Sequence, residues 1–271
     1  MPELPEVETA RRGVEPYVRG HVVTQVKIRN RRLRWPVPRA LVRTLPGERV
    51  TEVTRRGKYL LLHTAAGTAI LHLGMSGSLR VVPADAAAGK HDHLDIVLDS
   101  GRALRLHDPR RFGTLLWTTQ DPARHKLLRA LGPEPLESGF DGDYLFAKSR
   151  KRKVAVKNFI MNSHIVTGVG NIYASEALFL ARIRPARAAG RITRERYLAL
   201  AKAIQKVLSA AIKAGGTTLR DFTREDGQPG YFRQHLRVYG RDGQACRRCG
   251  HRIVARATGQ RMTYFCPHCQ S

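Results

Sequence analysis

The stretch MPELPEVE, residues 1–8, is acid-rich in an otherwise very basic chain. Its pattern predicts the start of a helix, because proline fits the first helical turn and acidic residues stabilise the positive end of a helix. Apolar residues then continue at helical spacing along one face: Leu4, Val7, Ala10, Val14 and Val18. We therefore expect an amphipathic N-terminal helix that packs against a core.

The second residue of this stretch also offers a reactive group. Removal of Met1 would leave Pro2 as a free secondary amine with a pKa of about 8, close in sequence to two carboxylates. Amines of this kind attack carbonyl-type carbon and form Schiff bases. Acidic helix starts are common, so residues 1–8 by themselves leave a structural and a catalytic interpretation open.

Composition favours a polyanionic partner. The 271 residues include 48 Lys and Arg against 22 Asp and Glu, which gives a formal net charge of +26. Nucleic acid is the first candidate for such a partner. A membrane surface is a weaker one, because no apolar stretch reaches the roughly 18 residues of a span and the N-terminus lacks the apolar run of a signal peptide. We expect a cytoplasmic protein without a membrane partner.

The N-terminal half is predicted to be β-rich after the first helix. Seven short segments between Gly-containing turns either alternate between apolar and polar residues or are apolar throughout: 22–29, 49–56, 59–64, 68–73, 79–82, 93–98 and 102–106. Many short strands joined by hairpins are typical of a two-sheet sandwich or barrel. A short helix is expected over 122–131, and the Pro/Gly-rich segment that follows it, 132–139, marks a domain boundary.

After this boundary the pattern becomes helical. Helices are predicted from about 144 and over 154–161, then from a cap at Asn171 to Ala181, and finally from a cap at Thr193 to a Gly pair at 215–216. The Gly-rich segment 166–173 would join two helices, and helix N-termini can hold phosphate. Residues 148–157, just before it, carry six basic and no acidic residues. Beside this turn, that run indicates a nucleic-acid track rather than only a solvated face.

The cysteines are confined to the last 26 residues, in the pattern Cys-x2-Cys-x16-Cys-x2-Cys. Two tight pairs of thiolates across a short loop predict one structural, tetrahedral Zn²⁺ bound by Cys246, Cys249, Cys266 and Cys269. His251 and His268 could substitute, but the cysteines already complete the shell. The intervening loop is predicted to form a β-hairpin from which Arg252, Arg256 and Arg261 project towards phosphate.

Three turns of the β-rich half carry side chains suited to DNA. Lys58 lies at the mouth of a hairpin, Met75 on a Gly-flanked tip, and Arg110 with Phe112 on another tip. Apolar wedges beside a cation are a means by which proteins kink DNA and hold a gap open. By residue type alone, ordinary core packing of Met75 and Phe112 is the more common interpretation.

Taken together, these segments closely resemble bacterial formamidopyrimidine-DNA glycosylase. The resemblance rests on seven motifs in the same order along the whole chain: PELPEVE at 2–8, GKY at 57–59, HLGMSG at 72–77, KHDH at 90–93, DPRRFG at 108–113, GVGNIYASE at 168–176 and the four-cysteine tail. It implies a bifunctional glycosylase and abasic-site lyase that removes oxidised purines, such as 8-oxoguanine and formamidopyrimidines, in base-excision repair. Its partner would be double-stranded DNA with oxidised bases or abasic sites. The enzyme would be a monomer that scans the DNA of the nucleoid.

The resemblance also implies roles for individual residues. Pro2 would attack C1′ and form the Schiff base, Glu3 would assist opening of the sugar ring, and Glu6 would support the amine. Lys58 would act as the acid in β-elimination and Arg261 in δ-elimination. Met75, Arg110 and Phe112 would fill the gap left by the flipped nucleotide, with Arg110 reading the opposite base. Further DNA-contacting positions are His72, His91, Arg152, Lys157, Asn171 and Tyr239.

The fold implied is a multidomain α+β arrangement with DNA in a cleft between its halves. An N-terminal β-sandwich with an N-terminal helix, 1–132, would be followed by a linker, 133–148, and a helix–two-turn–helix domain, 149–230, with a lesion-recognition loop at 217–230. A zinc finger, 231–271, would complete the chain.

Two alternatives stay open on the sequence. An endonuclease VIII-like enzyme for oxidised pyrimidines shares the catalytic residues, but that group typically has Gly where this chain has Leu4, and it lacks the loop present here at 217–232. A non-enzymatic zinc-finger DNA-binding protein would explain the charge and the finger, but would not need Pro2, Glu3 or Lys58.

Overall fold

The computed structural model describes residues 2–216 and 235–271, and they fall into two compact units. The first contains the residues up to Arg129 together with Gly215 and Gly216. The second contains Ala130–Ala214 and residues 235–271. The predicted lesion-recognition loop at 217–230 lies outside the described residues. The domain limits given above stay a prediction, although the change from one unit to the other falls beside the Pro/Gly-rich segment.

The first unit is a sandwich of two sheets with a helix at its start. Helix α1 (Leu4–Val18) precedes β1 (Val23–Ile28) and a short helix α2 (Arg39–Thr44). Seven strands follow: β2 (Glu52–Arg56), β3 (Tyr59–Thr64), β4 (Gly67–His72), β5 (Ser78–Pro83), β6 (Asp92–Leu98), β7 (Arg102–His107) and β8 (Thr114–Thr118). Within the described residues they form two antiparallel four-stranded sheets, in the orders β1-β6-β7-β5 and β2-β3-β4-β8.

The predicted strands and the apolar face of α1 are confirmed. Leu4, Val7, Ala10, Val14 and Val18 are all buried, and four of them join a core with inward residues of both sheets. Two elements went unpredicted, helix α2 and strand β8. Strand β8 pairs with β4 and buries Leu115, but its sequence TLLWT is too short to show a clear period.

The helix expected over 122–131 is wrong. Only Pro122–Arg124 forms a 3₁₀ turn, in which the Asp121 side chain accepts a hydrogen bond from the Ala123 N–H. Of this segment, Leu128 alone is buried. A single apolar anchor gives a helix no face to pack, and short helices depend on such packing for their stability.

The second unit is built from helices and a terminal hairpin. Its helices are α3 (Gly142–Ser149), α4 (Val156–Met161), α5 (Asn171–Leu180) and α6 (Arg194–Lys213), and the hairpin is formed by β9 (Val254–Thr258) and β10 (Arg261–Phe265). Thr193 caps α6 as predicted, with its hydroxyl accepting from the Arg196 N–H. Asn171 is not the cap of α5. Gly170 occupies that position and Asn171 is the first helical residue, so its side chain is directed to other partners.

The helical core is a cluster of buried residues from all four helices, among them Leu145, Phe159, Tyr173 and Tyr197. All of helix α3 except Ser149 lies inside the stretch predicted as a linker, so the linker-like composition ends before Gly142. Within residues 2–216 and 235–271, none of the helices has the length and apolar character that crossing a membrane requires.

Candidate active site and nucleic-acid interface

The start of α1 holds Pro2 and Glu3 in a buried position. Pro2 is buried and Glu3 is 2% exposed, and Glu3 is the residue that caps the helix. The Glu6 carboxylate accepts a hydrogen bond from the Glu3 N–H at 2.9 Å, as in a capping box. Glu6 therefore fixes the backbone at Glu3, beside Pro2. Its predicted support of the Pro2 amine stays a prediction. Gly216 packs on this carboxylate, since an added Cβ would lie 3.1 Å from Glu6 Oε1.

Glu8 connects α1 to the turn that carries Lys58. Its carboxylate accepts from Arg11 and from Arg55 Nε, the latter at 3.2 Å, and an Arg55 guanidinium N–H also donates to the Gly57 carbonyl at 2.9 Å. Burial raises the pKa of Glu8, but the hydrogen bonds from arginine outweigh it and leave the pKa below its ordinary value. Lys58 follows Gly57, whose φ of 58° suits the tight turn between β2 and β3.

The two predicted wedge tips are exposed on the same unit. Met75, between β4 and β5, is 38% exposed, and Phe112, between β7 and β8, is 42% exposed. Large apolar side chains in such positions are not part of a core, so the core-packing interpretation of both residues is wrong. The Arg110 guanidinium lies 4.8 Å from the centre of the Phe112 ring, a cation–π distance that sets the two side chains beside each other.

His72 contacts the backbone of the tip that carries Met75. Its Nδ1 accepts a hydrogen bond from the Gly74 N–H at 2.9 Å, and its ring lies 4.7 Å from that of Tyr59. Burial, followed by the nearby Lys58 and Arg34 cations, lowers the pKa of His72 to about 4. A neutral ring is what this acceptor role requires. His91 is half-buried in front of β6, and its ring packs edge to face against His107.

The zinc hairpin is attached to the helices by Lys157 and Asn171. The Lys157 side chain is fully buried, and its Nζ donates to Asn171 Oδ1 at 2.5 Å and to Thr263 Oγ1 at 2.7 Å. Both Lys157 Nζ and Asn171 Nδ2 donate to the Met262 carbonyl, at 3.2 and 3.1 Å. Met262 follows Arg261, which is exposed. The predicted DNA contact by Lys157 stays a prediction, but its ammonium faces the hairpin backbone.

Tyr239 and Arg152 occupy the other predicted contact positions of the helical unit. Arg152 is exposed, and the Tyr239 ring packs at 5.0 Å against Tyr264. The buried Glu176 carboxylate accepts the backbone N–H groups of residues 237–239, each at 2.9 Å, and so fixes the main chain that carries Tyr239. Burial raises the pKa of Glu176 in spite of these three hydrogen bonds.

The four cysteines are assembled as a zinc site requires. Cys246 and Cys269 Sγ lie 4.0 Å apart, and Cys249 and Cys266 Sγ lie 3.5 Å apart. Tetrahedral Zn²⁺ with bonds of about 2.3 Å would need thiolates about 3.8 Å apart, so the donor set fits the ion. His251 and His268 stack at 4.2 Å and lie near Cys249, but both are exposed. The buried core of this module is small: Phe179, Val238, Cys246, Ile253 and Cys266.

Three family models match the chain in the order of these features. They are the formamidopyrimidine-DNA glycosylase N-terminal domain over residues 1–115, the formamidopyrimidine-DNA glycosylase H2TH domain over 131–223, and the zinc finger found in FPG and IleRS over 243–271. The chain belongs to the formamidopyrimidine-DNA glycosylase family. Relatives of that name from Thioalkalivibrio sulfidiphilus and Syntrophotalea carbinolica are 61% and 60% identical to it over 270 residues, and each match covers 100% of both chains.

Solved structures of the family have the same fold. The MutM (FPG) protein from Thermus thermophilus is 39% identical, with a TM-score of 0.89 over 99% of this chain and 98% of that one. A mutant of the Lactococcus lactis FPG, in complex with a Fapy-dG containing DNA, is 34% identical, with a TM-score of 0.92 and full coverage of both chains. The Lactococcus lactis Fpg in complex with DNA containing an abasic site gives the same TM-score over 99% of each chain.

Residue-level interpretation of the sequence missed the buried acids that hold these groups. Glu8, Asp108 and Glu176 each accept hydrogen bonds from segments distant in sequence or from exposed tips. In a chain of this charge, the signal that could have found them is an isolated acid inside an otherwise basic or apolar motif. Asp108 in DPRRFG and Glu176 in GVGNIYASE both fit that description.

Proposed function

We propose that this protein is a DNA glycosylase and abasic-site lyase that removes oxidised purines from double-stranded DNA through a Schiff base on Pro2. One observation carries the proposal: Pro2 and Glu3 stand at a buried, carboxylate-fixed helix start in a chain that matches formamidopyrimidine-DNA glycosylases along its whole length. Relatives in complex with Fapy-dG DNA and with abasic-site DNA support this class of substrate.

The first step is displacement of the base. The target nucleotide is flipped out of the duplex, because its C1′ cannot be reached inside the helix. The unprotonated Pro2 nitrogen attacks C1′, the bond from C1′ to the base breaks, and the base leaves with the bonding electron pair and takes up a proton. Glu3 donates a proton to the ring oxygen as the sugar opens. The product is an iminium that joins Pro2 to C1′.

Strand cleavage then follows from the acidity of this iminium. Loss of a proton from C2′ breaks the bond from C3′ to its phosphate oxygen, and a second elimination breaks the corresponding bond at C5′. Lys58 supplies the acid for the first elimination and Arg261 for the second. Hydrolysis of the iminium frees Pro2. The roles of Glu3, Lys58 and Arg261 rest on the family motifs and on the positions of these residues in turns and at a helix start.

DNA contacts fall into two groups by what the side chains can reach. Met75, Arg110 and Phe112 are exposed at tips and fill the gap left by the flipped nucleotide. Arg152, Arg261, Asn171 and Tyr239 lie at or near the surface of the helical unit and bind phosphate. His72, His91 and Lys157 are half-buried or buried, so they act chiefly by holding the segments that touch DNA. The excess of positive charge supplies salt-sensitive binding that is independent of sequence.

The protein acts as a monomer in the cytoplasm, on the DNA of the nucleoid. The four cysteines hold one Zn²⁺, which keeps the hairpin that presents Arg261 folded. Leu4 is fully buried at the position where pyrimidine-specific relatives typically have Gly, and this supports the purine substrate.

Covalent trapping with borohydride tests the proposal. The wild type should form a stable adduct with DNA that carries 8-oxoguanine opposite cytosine, because borohydride reduces the iminium to an amine. A Pro2→Gly variant should bind the same DNA but lose most of the adduct. A Pro5→Ala variant, which changes a proline in the first turn of the same helix, should keep it.

Undiminished trapping by Pro2→Gly would contradict the assignment of the nucleophile. Much faster cleavage of oxidised pyrimidines than of 8-oxoguanine would favour the endonuclease VIII-like alternative. Mass spectrometry of the intact N-terminus should show that Met1 is absent, since the secondary amine exists only after its removal.

A further inference from the structure

Asp108 lies directly after β7, between the two tips that carry Met75, Arg110 and Phe112, and its side chain is fully buried. Oδ1 accepts a hydrogen bond from Ser76 Oγ at 2.9 Å and another from the Arg110 N–H at 3.3 Å. Oδ2 accepts from the Gly113 N–H at 2.7 Å. One carboxylate therefore binds Ser76, which follows Met75 on one tip, and both Arg110 and Gly113, which lie on either side of Phe112 on the other tip.

The backbone of Asp108 is itself fixed to the sheet beneath. Its N–H donates to the His91 carbonyl at 2.9 Å, and its carbonyl accepts from His93 Nε2 at 2.8 Å. His93 lies in β6 and is buried. The carboxylate is thus attached to the rigid sandwich and cannot follow a tip that moves.

The tips also touch each other through their backbones. Gly74 has a φ of +66°, and a Cβ at this position would lie 2.4 Å from the Phe112 carbonyl carbon and 2.5 Å from the Gly113 nitrogen. The Arg110 N–H, which donates to Asp108 Oδ1, also donates to the Ser76 hydroxyl oxygen at 3.3 Å. A shift of either tip therefore displaces the other, and both depend on the same carboxylate.

We propose that Asp108 is a positioning residue that holds the Met75 tip and the Arg110–Phe112 tip together as one preformed wedge. The proposal rests on the function given above, in which these three side chains fill the gap and read the opposite base. Hydrogen bonds from backbone N–H groups to a buried carboxylate are charge-assisted and strong. They fix exposed side chains before DNA arrives, so that less ordering is needed when the lesion is bound.

The variant Asp108→Asn tests this role with little change of shape. An amide has one oxygen, and its NH₂ group cannot accept, so either the Gly113 N–H or the Ser76 hydroxyl and the Arg110 N–H lose the acceptor at residue 108. Misplacement of about 1 Å far from the reacting atoms can cost up to about a hundred-fold in rate. We expect a loss of about ten- to a hundred-fold in single-turnover excision of 8-oxoguanine opposite cytosine.

Two further readouts separate positioning from general damage. The ratio of excision opposite cytosine to excision opposite adenine should fall in Asp108→Asn, because Arg110 is held by the same carboxylate. Borohydride trapping on single-stranded DNA with an abasic site should be unchanged, since that substrate has no opposite base and no gap to fill. A fluorescent 2-aminopurine opposite the lesion should report weaker unstacking by the wedge.

Asp95→Asn is the matched control. Asp95 is equally buried in the same unit, but it pairs with Arg29 and Arg105 and lies on β6. Its substitution should lower thermal stability without changing the excision ratio. In a double-mutant cycle, Ser76→Ala combined with Asp108→Asn should cost less than the sum of the single changes, because both remove the same link.

An unchanged excision ratio in Asp108→Asn, or a loss that Asp95→Asn reproduces at equal stability, would overturn the proposal. If Asp108→Asn does not fold, Ser76→Ala alone decides the matter, and an unaltered ratio in that variant has the same consequence. Failure of the wild type to trap abasic DNA would instead contradict the proposed function and is distinguishable from these outcomes.

Discussion

The wedge tips of the sandwich and the zinc hairpin of the helical unit present their side chains by opposite means. At the tips, a buried carboxylate, Asp108, accepts backbone N–H and hydroxyl hydrogen bonds. At the hairpin, a buried ammonium, Lys157, and the amide of Asn171 donate to the Met262 carbonyl. In both regions one buried polar group fixes the main chain beside an exposed residue, Phe112 in one case and Arg261 in the other.

This difference shows how a very basic chain uses its few acids. Glu6, Glu8, Asp108 and Glu176 are buried and serve the architecture by accepting hydrogen bonds from backbone or arginine. Buried polar groups of this kind are costly unless they are satisfied, so each one specifies a single local arrangement. The formal net charge of +26 suits a phosphate backbone.

Removal of zinc should have the largest effect, because it should unfold the zinc hairpin and leave the wedge tips of the sandwich unchanged. Free energies of structural zinc binding are about 10–16 kcal/mol, and small modules are commonly unfolded without the metal. Chelation should therefore disorder the hairpin and weaken DNA binding strongly, while the β-sandwich keeps its cooperative unfolding. Circular dichroism, calorimetry and a DNA titration measure these effects.

A variant with both His251→Asn and His268→Asn is the control for this experiment. It should keep one zinc ion per chain, because the four cysteines complete the shell. Loss of the metal from that variant would contradict the all-cysteine site.

Lys157→Met should have the next largest effect, confined to the hairpin. Loss of this buried donor should cost about 1–3 kcal/mol, since it leaves the acceptors at Asn171, Met262 and Thr263 buried with one hydrogen bond fewer. Chemical denaturation should show a less stable helical unit, and DNA binding should weaken. Discrimination between opposite bases should be retained, because the tips do not use this lysine.

Lys153→Met provides the same change at an exposed position of the same basic run. Its effect on stability should stay within about 0.5 kcal/mol. Equal destabilisation by the two variants would show that the buried ammonium has no special role.

Protonation of His72 should have the smallest effect and is specific to the Met75 tip. The pKa of His72 is lowered to about 4 from an ordinary value of 6.5, so the unfolded chain takes up this proton before the folded one does. The contribution of neutral His72 is fully present above pH 6.5 and is lost as the pH falls towards 4. Protonation also removes the acceptor of the Gly74 N–H.

An NMR titration of the imidazole nitrogens should therefore show a neutral His72, protonated at Nε2, down to about pH 4. Titration of His72 near its ordinary value would mean that the acceptor role is incorrect.

Much of the fold followed from local pattern. The stripe from Leu4 to Val18 is buried, β3 has its predicted bounds at Tyr59–Thr64, and the four-cysteine spacing predicted both the metal site and its hairpin. These features depend on periodicity and on ligand spacing, which are properties of contiguous residues. Strand β8 and the 122–131 segment were missed or misassigned, because their structure depends on partners elsewhere in the chain.

The candidate site likewise has features that local sequence predicts and features that depend on residues distant in the chain. The sequence by itself predicted which residues carry chemistry, since Pro2, Glu3, Lys58, Arg261 and the cysteines stand in motifs that depend on residue type and order. Only the tertiary structure decided which of the six basic residues at 148–157 is buried, and that one acid in DPRRFG fastens two tips. Burial and hydrogen bonding join residues that are distant in sequence, so no local pattern contains them. The opening stretch shows both limits: its composition predicted a helix start, and the fold supplied the burial and the Glu6 hydrogen bond that hold Pro2 and Glu3 in place.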